Sequence, residues 1–146
     1  GSSINCWREG VFYEPTKSYP YDDALIRTRL AMKDGTLKGI LWHQGEGDSG
    51  TDATAAYKEK LKDLVAALRK EFGGMTVPFV AGELGHFRKH REMFNRVLHE
   101  SIREIPHFGV VTVEGLQSIG DSTHFDAVSQ RELGRRYALK LKTINE

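Results

Sequence analysis

The stretch that decides the fold is GILWHQGEGDSG, residues 39 to 50. It is apolar from Gly39 to Trp42 and then changes abruptly to polar residues, two acids and closely spaced glycines. An apolar segment that ends in such a loop is typical of a buried β-strand with a functional loop at its carboxyl end. We therefore expect a strand over 37–43 and a candidate site in residues 43–50.

Helical and strand patterns alternate along the rest of the chain. The predicted order is α, β, α, β, α, β, α. Strands are expected at 37–43, 77–81 and 109–113. Helices are expected at 22–33, at 87–105, at 126–143 and from a cap at Thr51 or Asp52 to Gly73. Such alternation with short, apolar strands predicts an α/β fold in which helices cover both faces of a parallel sheet.

Composition limits the classes of protein to which the chain can belong. A length of 146 residues suits a single domain over 1–146. Lys and Arg total 21 against 20 for Asp and Glu, and because the charges are interspersed, nothing indicates a nucleic-acid or membrane partner. No apolar run approaches the ~20 residues of a membrane helix. The one cysteine, Cys6, excludes an internal disulfide but leaves a secreted and a cytoplasmic location both open.

Three loops that carry polar side chains follow predicted strands. They are residues 43–50, 82–86 and 114–125. Because ligands bind outside the carboxyl ends of the strands in open α/β sheets, we expect these loops to converge at one edge.

The third loop contains GDSTHFDA, which places Asp121 three residues before His124. A carboxylate at this spacing can accept a hydrogen bond from Nδ1–H of the imidazole and leave the other ring nitrogen free to act as a base. The alternative is a helix-capping aspartate beside a solvated histidine. Asp126 is available for capping, so Asp121 is not needed for it.

The first loop provides groups of a different kind. Gln44 carries an amide donor, and the glycines that follow, beginning with Gly45, let backbone N–H groups approach a developing oxyanion. Glu46 is a second carboxylate that could orient or stabilise an imidazolium. The alternative is that Gln44 and Glu46 only satisfy backbone groups at the strand end. His43 is expected to be a packed structural histidine.

Two further features carry less weight. His86 and His90 have the i, i+4 spacing of metal ligands on a helix, but no third ligand is evident and Arg88 makes the surroundings electropositive. Cys6 has no neighbouring base and is interpreted as a buried or half-buried thiol. No metal or organic cofactor is expected.

Four segments in order resemble one known family: GSSINCW, YPYDDALIRTRLAMKDGTLKGILWHQGEGDS, FVAGELG and GDSTHFDAVSQRELGRRYA. They are similar to the sialate O-acetylesterase-like branch of the SGNH hydrolases, which includes the acetyl xylan esterases of carbohydrate esterase family six. The resemblance covers nearly the whole chain. It implies a three-layer α/β/α, flavodoxin-like fold and a serine esterase whose partner is an acetylated carbohydrate.

The resemblance also implies roles for individual residues. His124 would be the base, and Asp121 its usual orienter, with Glu46 as a competitor for that role. Gly1 would stand at the glycine of the second family block and Gln44 at the amide position of the third, where both would contribute to the oxyanion hole.

The chain departs from the family pattern at the nucleophile. It has no Gly-Gln-Ser-Asn block, so it resembles the carboxyl-terminal part of such an enzyme, with the first two strands and the nucleophilic serine expected in a separate amino-terminal segment. The loss of those strands would expose one long edge of strand 37–43. Ser49, Ser118 and Ser122 are poor substitutes for the nucleophile, since none lies in a tight strand-to-helix turn. The alternatives are a non-catalytic carbohydrate-binding or interaction domain, or half of a split protein.

Overall fold

A computed structural model describes residues 1–145 and has the predicted order of helices and strands. The helices are α1 Pro20–Ala31, α2 Thr51–Phe72, α3 Arg91–Ser101 and α4 Ala127–Asn145, and the strands are β1 Ile40–Trp42, β2 Phe79–Gly82 and β3 Phe108–Val111. Three short 3-10 helices, Ile4–Cys6, Glu14–Thr16 and Glu46–Asp48, were not predicted.

The three strands form one parallel sheet in the order β1-β2-β3. In β2, Phe79 and Ala81 face a core built with α2 and α3, whereas Val80 between them faces a second core with α4. Because successive side chains of a strand point to opposite faces, this division places helices on both sides of the sheet. The predicted three-layer α/β/α, flavodoxin-like arrangement is confirmed.

The regular elements differ from the predicted bounds mainly at their ends. β1 has three residues rather than the seven of 37–43, because only Ile40 to Trp42 pair with β2. α3 is shorter than 87–105, since residues 87–90 form turns. Ile105, beyond the end of α3, is still buried in the core. The apolar pattern therefore identified most of the buried residues, although Met93 and Ile102 of the predicted third helix are exposed, and it overestimated the length of regular structure.

Helix caps agree with the sequence in part. The expected Thr51 or Asp52 cap of α2 is wrong, because Gly50 occupies the cap position and no side chain caps the helix. Gly73 ends α2 with φ of 133°, as predicted. Asp126 accepts the N–H of Ser129 in the first turn of α4 at 2.7 Å, so the cap role expected of Asp126 is confirmed.

One edge of the sheet is formed by β1. Leu41 is 56% exposed there, and a cavity of about 200 Å³ beside the strand is lined largely by apolar residues, Leu37 among them. The exposed edge is shorter than the sequence suggested, because the strand itself is short. Within the described residues, no helix is long and apolar enough to cross a membrane.

Candidate active site

His124 and Asp121 form a hydrogen-bonded pair in the loop after β3. Nδ1 of His124 lies 2.5 Å from Oδ2 of Asp121, while Oδ1 accepts the backbone N–H of His124 and of Thr123, each at 2.8 Å. The side chain of His124 is 72% exposed. The arrangement therefore holds the imidazole through Nδ1 and leaves Nε2 open to solvent.

The chemistry of this loop keeps Asp121 ionised. The backbone N–H of His124, its ring and the N–H of Thr123 lower the pKa of the Asp121 carboxyl, because each stabilises the charged form. Ser122 has a φ of 56°, which turns the chain sharply between the two partners. Arg88 donates to the carbonyl of Ser122 at 3.3 Å and supports the turn from outside.

Gln44 is fixed at the carboxyl end of β1. Its Nε2 donates to the carbonyl oxygen of Ser2 at 2.9 Å and to Oδ2 of Asp48 at 2.6 Å. Its Oε1 accepts from the hydroxyl of Tyr57 at 3.0 Å. Both amide hydrogens are thus engaged, and an oxyanion could receive one only by replacing the carbonyl of Ser2.

Asp48 is a buried carboxylate for which the sequence pattern predicted no role. Besides Gln44, it accepts from Oγ of Ser3 at 2.6 Å and from the N–H of Ile4 at 2.8 Å. These bonds hold the first residues of the chain against the loop after β1. Gly1 is exposed at the start of this segment, one residue from the carbonyl that Gln44 binds.

Gly45 is required by the packing of this loop. Its φ of 146° is unfavourable for other residues, and a Cβ at this position would lie 2.1 Å from the ring of the buried Phe94. The carbonyl of Gly45 accepts the N–H of Asp48 at 2.8 Å. Gly45 thus allows the loop to turn tightly against α3.

Glu46 does not contact His124. Among residues 1–145, the ring of His124 is hydrogen-bonded to Asp121, and no hydrogen bond joins it to Glu46. Burial lowers the pKa of the Arg91 guanidinium, and the charge of Glu46 acts on it in the opposite direction. Arg91 is 3% exposed and donates to the carbonyl of Gly85 at 3.3 Å, and its Nε has no hydrogen-bond partner in the described part of the chain. Asp121 is therefore the carboxylate that the structure pairs with the imidazole.

The loop after β2 contacts the residues that follow β3 and helix α3. Glu83 is buried; its carboxylate accepts the N–H of Val113 at 3.0 Å and lies 2.6 Å from Nε2 of His99 and 3.3 Å from that of His86. These contacts link the carboxyl ends of β2 and β3 to α3, and the ring contact of His43 with Phe125 adds the loop after β1, so the expected convergence of the three loops is observed. Glu83 lies within the predicted loop 82–86, but no role was predicted for it, because its partners lie in other elements.

The serines considered as substitute nucleophiles make hydrogen bonds within their own loops. Ser49 is buried and donates to the carbonyl of Glu46 at 3.0 Å, while Ser118 accepts the N–H groups of Gly120 and Ser122. Cys6 is half-buried, as expected. In the described part of the chain, no group of three or more His, Cys, Asp or Glu residues is arranged to hold a metal ion.

Solved structures with this fold carry further segments. The chain superposes on a protein from Arabidopsis thaliana with a TM-score of 0.85 and 21% identity, covering 98% of this chain and 57% of the other. A carbohydrate acetylesterase from Xanthomonas citri gives a TM-score of 0.62 and 21% identity, covering 73% of this chain and 26% of the other. The chain thus spans little more than half of the first protein and about a quarter of the second.

The family assignment follows from the sequence as a whole. Residues 1–143 match the family model described as "Carbohydrate esterase, sialic acid-specific acetylesterase". This range contains the loops after all three strands and both members of the Asp121–His124 pair. The chain accordingly belongs to this carbohydrate esterase family.

Proposed function

We propose that the chain is the base-bearing part of a carbohydrate O-acetylesterase that removes acetyl groups from sugars such as acetylated xylan or sialic acid. The observation that carries the proposal is the 2.5 Å contact between Nδ1 of His124 and Asp121, with Nε2 left open. An imidazole held in this way is suited to take a proton from a hydroxyl nucleophile.

The reaction is acyl transfer. A serine hydroxyl attacks the acetyl carbonyl carbon, and its proton moves to Nε2 of His124 while a tetrahedral oxyanion forms. When the ester bond breaks, His124 returns the proton to the departing sugar oxygen. Water then hydrolyses the acetyl-serine through the same base. Asp121 orients the ring and stabilises the imidazolium, and we assign this role to Asp121 rather than Glu46 because Asp121 is the carboxylate hydrogen-bonded to the ring within residues 1–145.

The oxyanion would be stabilised at the end of β1. Gln44 can exchange its bond with the carbonyl of Ser2 for a bond to the oxyanion, while the bond to Asp48 keeps the amide in place. Backbone N–H groups of Gly1 and Gly45 are the other donors that we propose. Such preorganised donors are often the largest single contribution to catalysis of this type.

We propose that the nucleophilic serine lies in an amino-terminal segment that pairs with the free edge of β1. The exposed Leu41 and the apolar cavity beside the strand support this position. A parallel strand added there would bring its carboxyl end to the edge that carries Gln44 and His124.

Labelling with a fluorophosphonate tests the proposal. The complete esterase that contains this chain should react with the fluorophosphonate at one serine. Its His124→Ala variant should lose both the labelling and the hydrolysis of an acetylated sugar. His90→Ala is the matched control, because His90 is exposed and its side chain does not cap α3. Unchanged labelling and turnover in His124→Ala would exclude His124 as the base.

A non-catalytic carbohydrate-binding domain is the second candidate. It is favoured by the engagement of Ser49 and Ser118 in hydrogen bonds within their own loops. This alternative predicts sugar binding with no labelling and no hydrolysis. Association with a separate polypeptide that carries the labelled serine would instead identify a split enzyme.

A further inference from the structure

His43 lies at the carboxyl end of β1, and one side of its ring is packed. Nδ1 of His43 is 3.2 Å from the hydroxyl oxygen of Tyr137 in α4. The ring also meets Phe125 edge-on, with centroids 5.8 Å apart. The residue as a whole is nevertheless exposed, so the prediction of a packed structural histidine describes only one side of it.

The hydrogen bonds of Tyr137 determine which nitrogen of His43 carries the proton. The single hydroxyl hydrogen of Tyr137 is donated to the carbonyl oxygen of Trp42 at 2.8 Å, and a carbonyl can only accept. The contact with His43 must therefore be a bond that Nδ1–H donates to the Tyr137 oxygen. In the neutral ring, the lone pair is then left on Nε2.

Gly82 makes this contact possible. A Cβ at Gly82 would lie 2.1 Å from the hydroxyl oxygen of Tyr137 and 2.5 Å from Nδ1 of His43. Any larger residue at the end of β2 would force the two groups apart. The absence of a side chain at Gly82 lets Tyr137 reach across β2 to the end of β1.

The surrounding groups keep both partners in the required protonation state. Burial, with the charge of Glu46 adding to it, raises the pKa of Tyr137, so its hydroxyl keeps its hydrogen. The packing against one side of the imidazole shields it from water and so lowers the pKa of His43, while the charge of Glu46 acts in the opposite direction. The ring is therefore neutral near pH 7 and its free nitrogen is an acceptor.

We propose that His43 is a specificity-determining residue that presents Nε2 to a free hydroxyl group of the sugar substrate. This inference deepens the proposed function and rests on it for the identity of the ligand. Nε2 has no hydrogen-bond partner among residues 1–145, and Phe125, which the ring contacts, directly follows His124. A neutral acceptor binds a hydroxyl donor and disfavours a carboxylate at the same position, because two lone pairs would face each other.

The first measurement reads the tautomer and does not depend on esterase activity. Long-range ¹H–¹⁵N spectra of this chain at neutral pH should show a proton on Nδ1 of His43 and a free lone pair on Nε2, with His43→Gln identifying the resonances. In Tyr137→Phe the constraint is removed, and the two tautomers should become mixed. A proton on Nε2 of His43 in the parent chain, or a tautomer that is unchanged in folded Tyr137→Phe, would overturn the inference.

The second measurement tests the ligand. Addition of methyl β-D-xylopyranoside should move the Nε2 resonance of His43 toward that of a hydrogen-bonded nitrogen, whereas the fully O-methylated xyloside, which lacks donors, should leave it in place. Equal shifts with both probes, or a shift with neither, would remove the specificity role. Failure of the serine-labelling experiment without failure of these two would count against the esterase proposal alone.

Discussion

The side-chain amide of Gln44 donates to Oδ2 of Asp48 at 2.6 Å, which joins the candidate oxyanion residue to a buried carboxylate four positions along the chain. The same carboxylate accepts from Ser3 and from the N–H of Ile4. Asp48 thus holds the loop after β1 and the first residues of the chain in one arrangement. The position of Gln44 thus depends on a buried carboxylate that also holds the first residues of the chain.

Replacement of Asp48 by Asn should lower the free energy of unfolding by about 3 kcal/mol. The amide NH₂ would stand where a carboxylate oxygen now accepts hydrogen bonds, so two donors would face each other. Chemical denaturation measures the change. Asp52→Asn is the control: Asp52 is exposed in the first turn of α2, and its loss should cost about 0.5 kcal/mol. Similar losses in the two variants would contradict the role given to Asp48.

Much of the fold could be predicted because the apolar pattern reports burial directly. Val80 and its neighbours in β2 form a short apolar run, and a run of this kind identifies a strand covered on both faces. Its limits could not be predicted, because the end of a strand depends on which residues find a partner. Lys38 and its neighbours were included in the predicted strand, although pairing with β2 begins only at Ile40.

The candidate site could be predicted where its partners are close in sequence. Asp121 and His124 are three residues apart, so a turn alone brings them together. The contacts of Tyr137 with His43 and of Glu83 with Val113 join different elements, and no local pattern indicates them. Their recognition required the sheet order and the packing of α4 across β2.

Gly45→Ala should be strongly destabilising, by about 3 kcal/mol, because the new methyl group would overlap the Phe94 ring and the backbone would be strained. Gly47→Ala is a matched control two residues away, where a Cβ meets no atom within 4 Å. Its effect should stay within about 0.5 kcal/mol. Thermal and denaturant unfolding measure both variants.

A second-site change tests the cause of that loss. Phe94→Leu in the Gly45→Ala background should restore part of the stability, because a smaller side chain leaves space for the methyl group. If the changes in unfolding free energy of Phe94→Leu and Gly45→Ala simply added in the double variant, the overlap with Phe94 would not be the reason for the loss.

Asp121→Asn should reduce kcat of the complete esterase about 10³-fold or more, because an amide can present its NH₂ to Nδ1 and favour the wrong tautomer of His124. Glu46→Gln should cost less than about tenfold, since Glu46 does not touch the ring and acts only through its charge. Steady-state kinetics on an acetylated sugar compare the two variants. A larger loss in Glu46→Gln would assign the orienting role to Glu46.

Glu132 gives a prediction for the dependence of stability on pH. Hydrogen bonds from Arg135 and Arg136 lower the pKa of Glu132 to about 2. Arg136 also donates to the carbonyls of Thr112 and Glu114, so the ion pair of Glu132 with Arg136 supports the loop after β3. Because the folded-state pKa is depressed, the stabilisation is present above the unfolded-state pKa of about 4.3 and is lost as the pH falls toward 2.

Glu132→Gln should therefore make the fall in unfolding free energy less steep between about pH 5 and pH 2, because the variant has no carboxylate at this position to be protonated. Denaturant titrations at several pH values give the two curves, which should differ most near pH 7 and approach each other in acid. A constant difference at every pH would mean that Glu132 contributes through packing rather than through its charge. Addition of salt should reduce the difference at pH 7, since Arg135 is exposed and its attraction to Glu132 is screened.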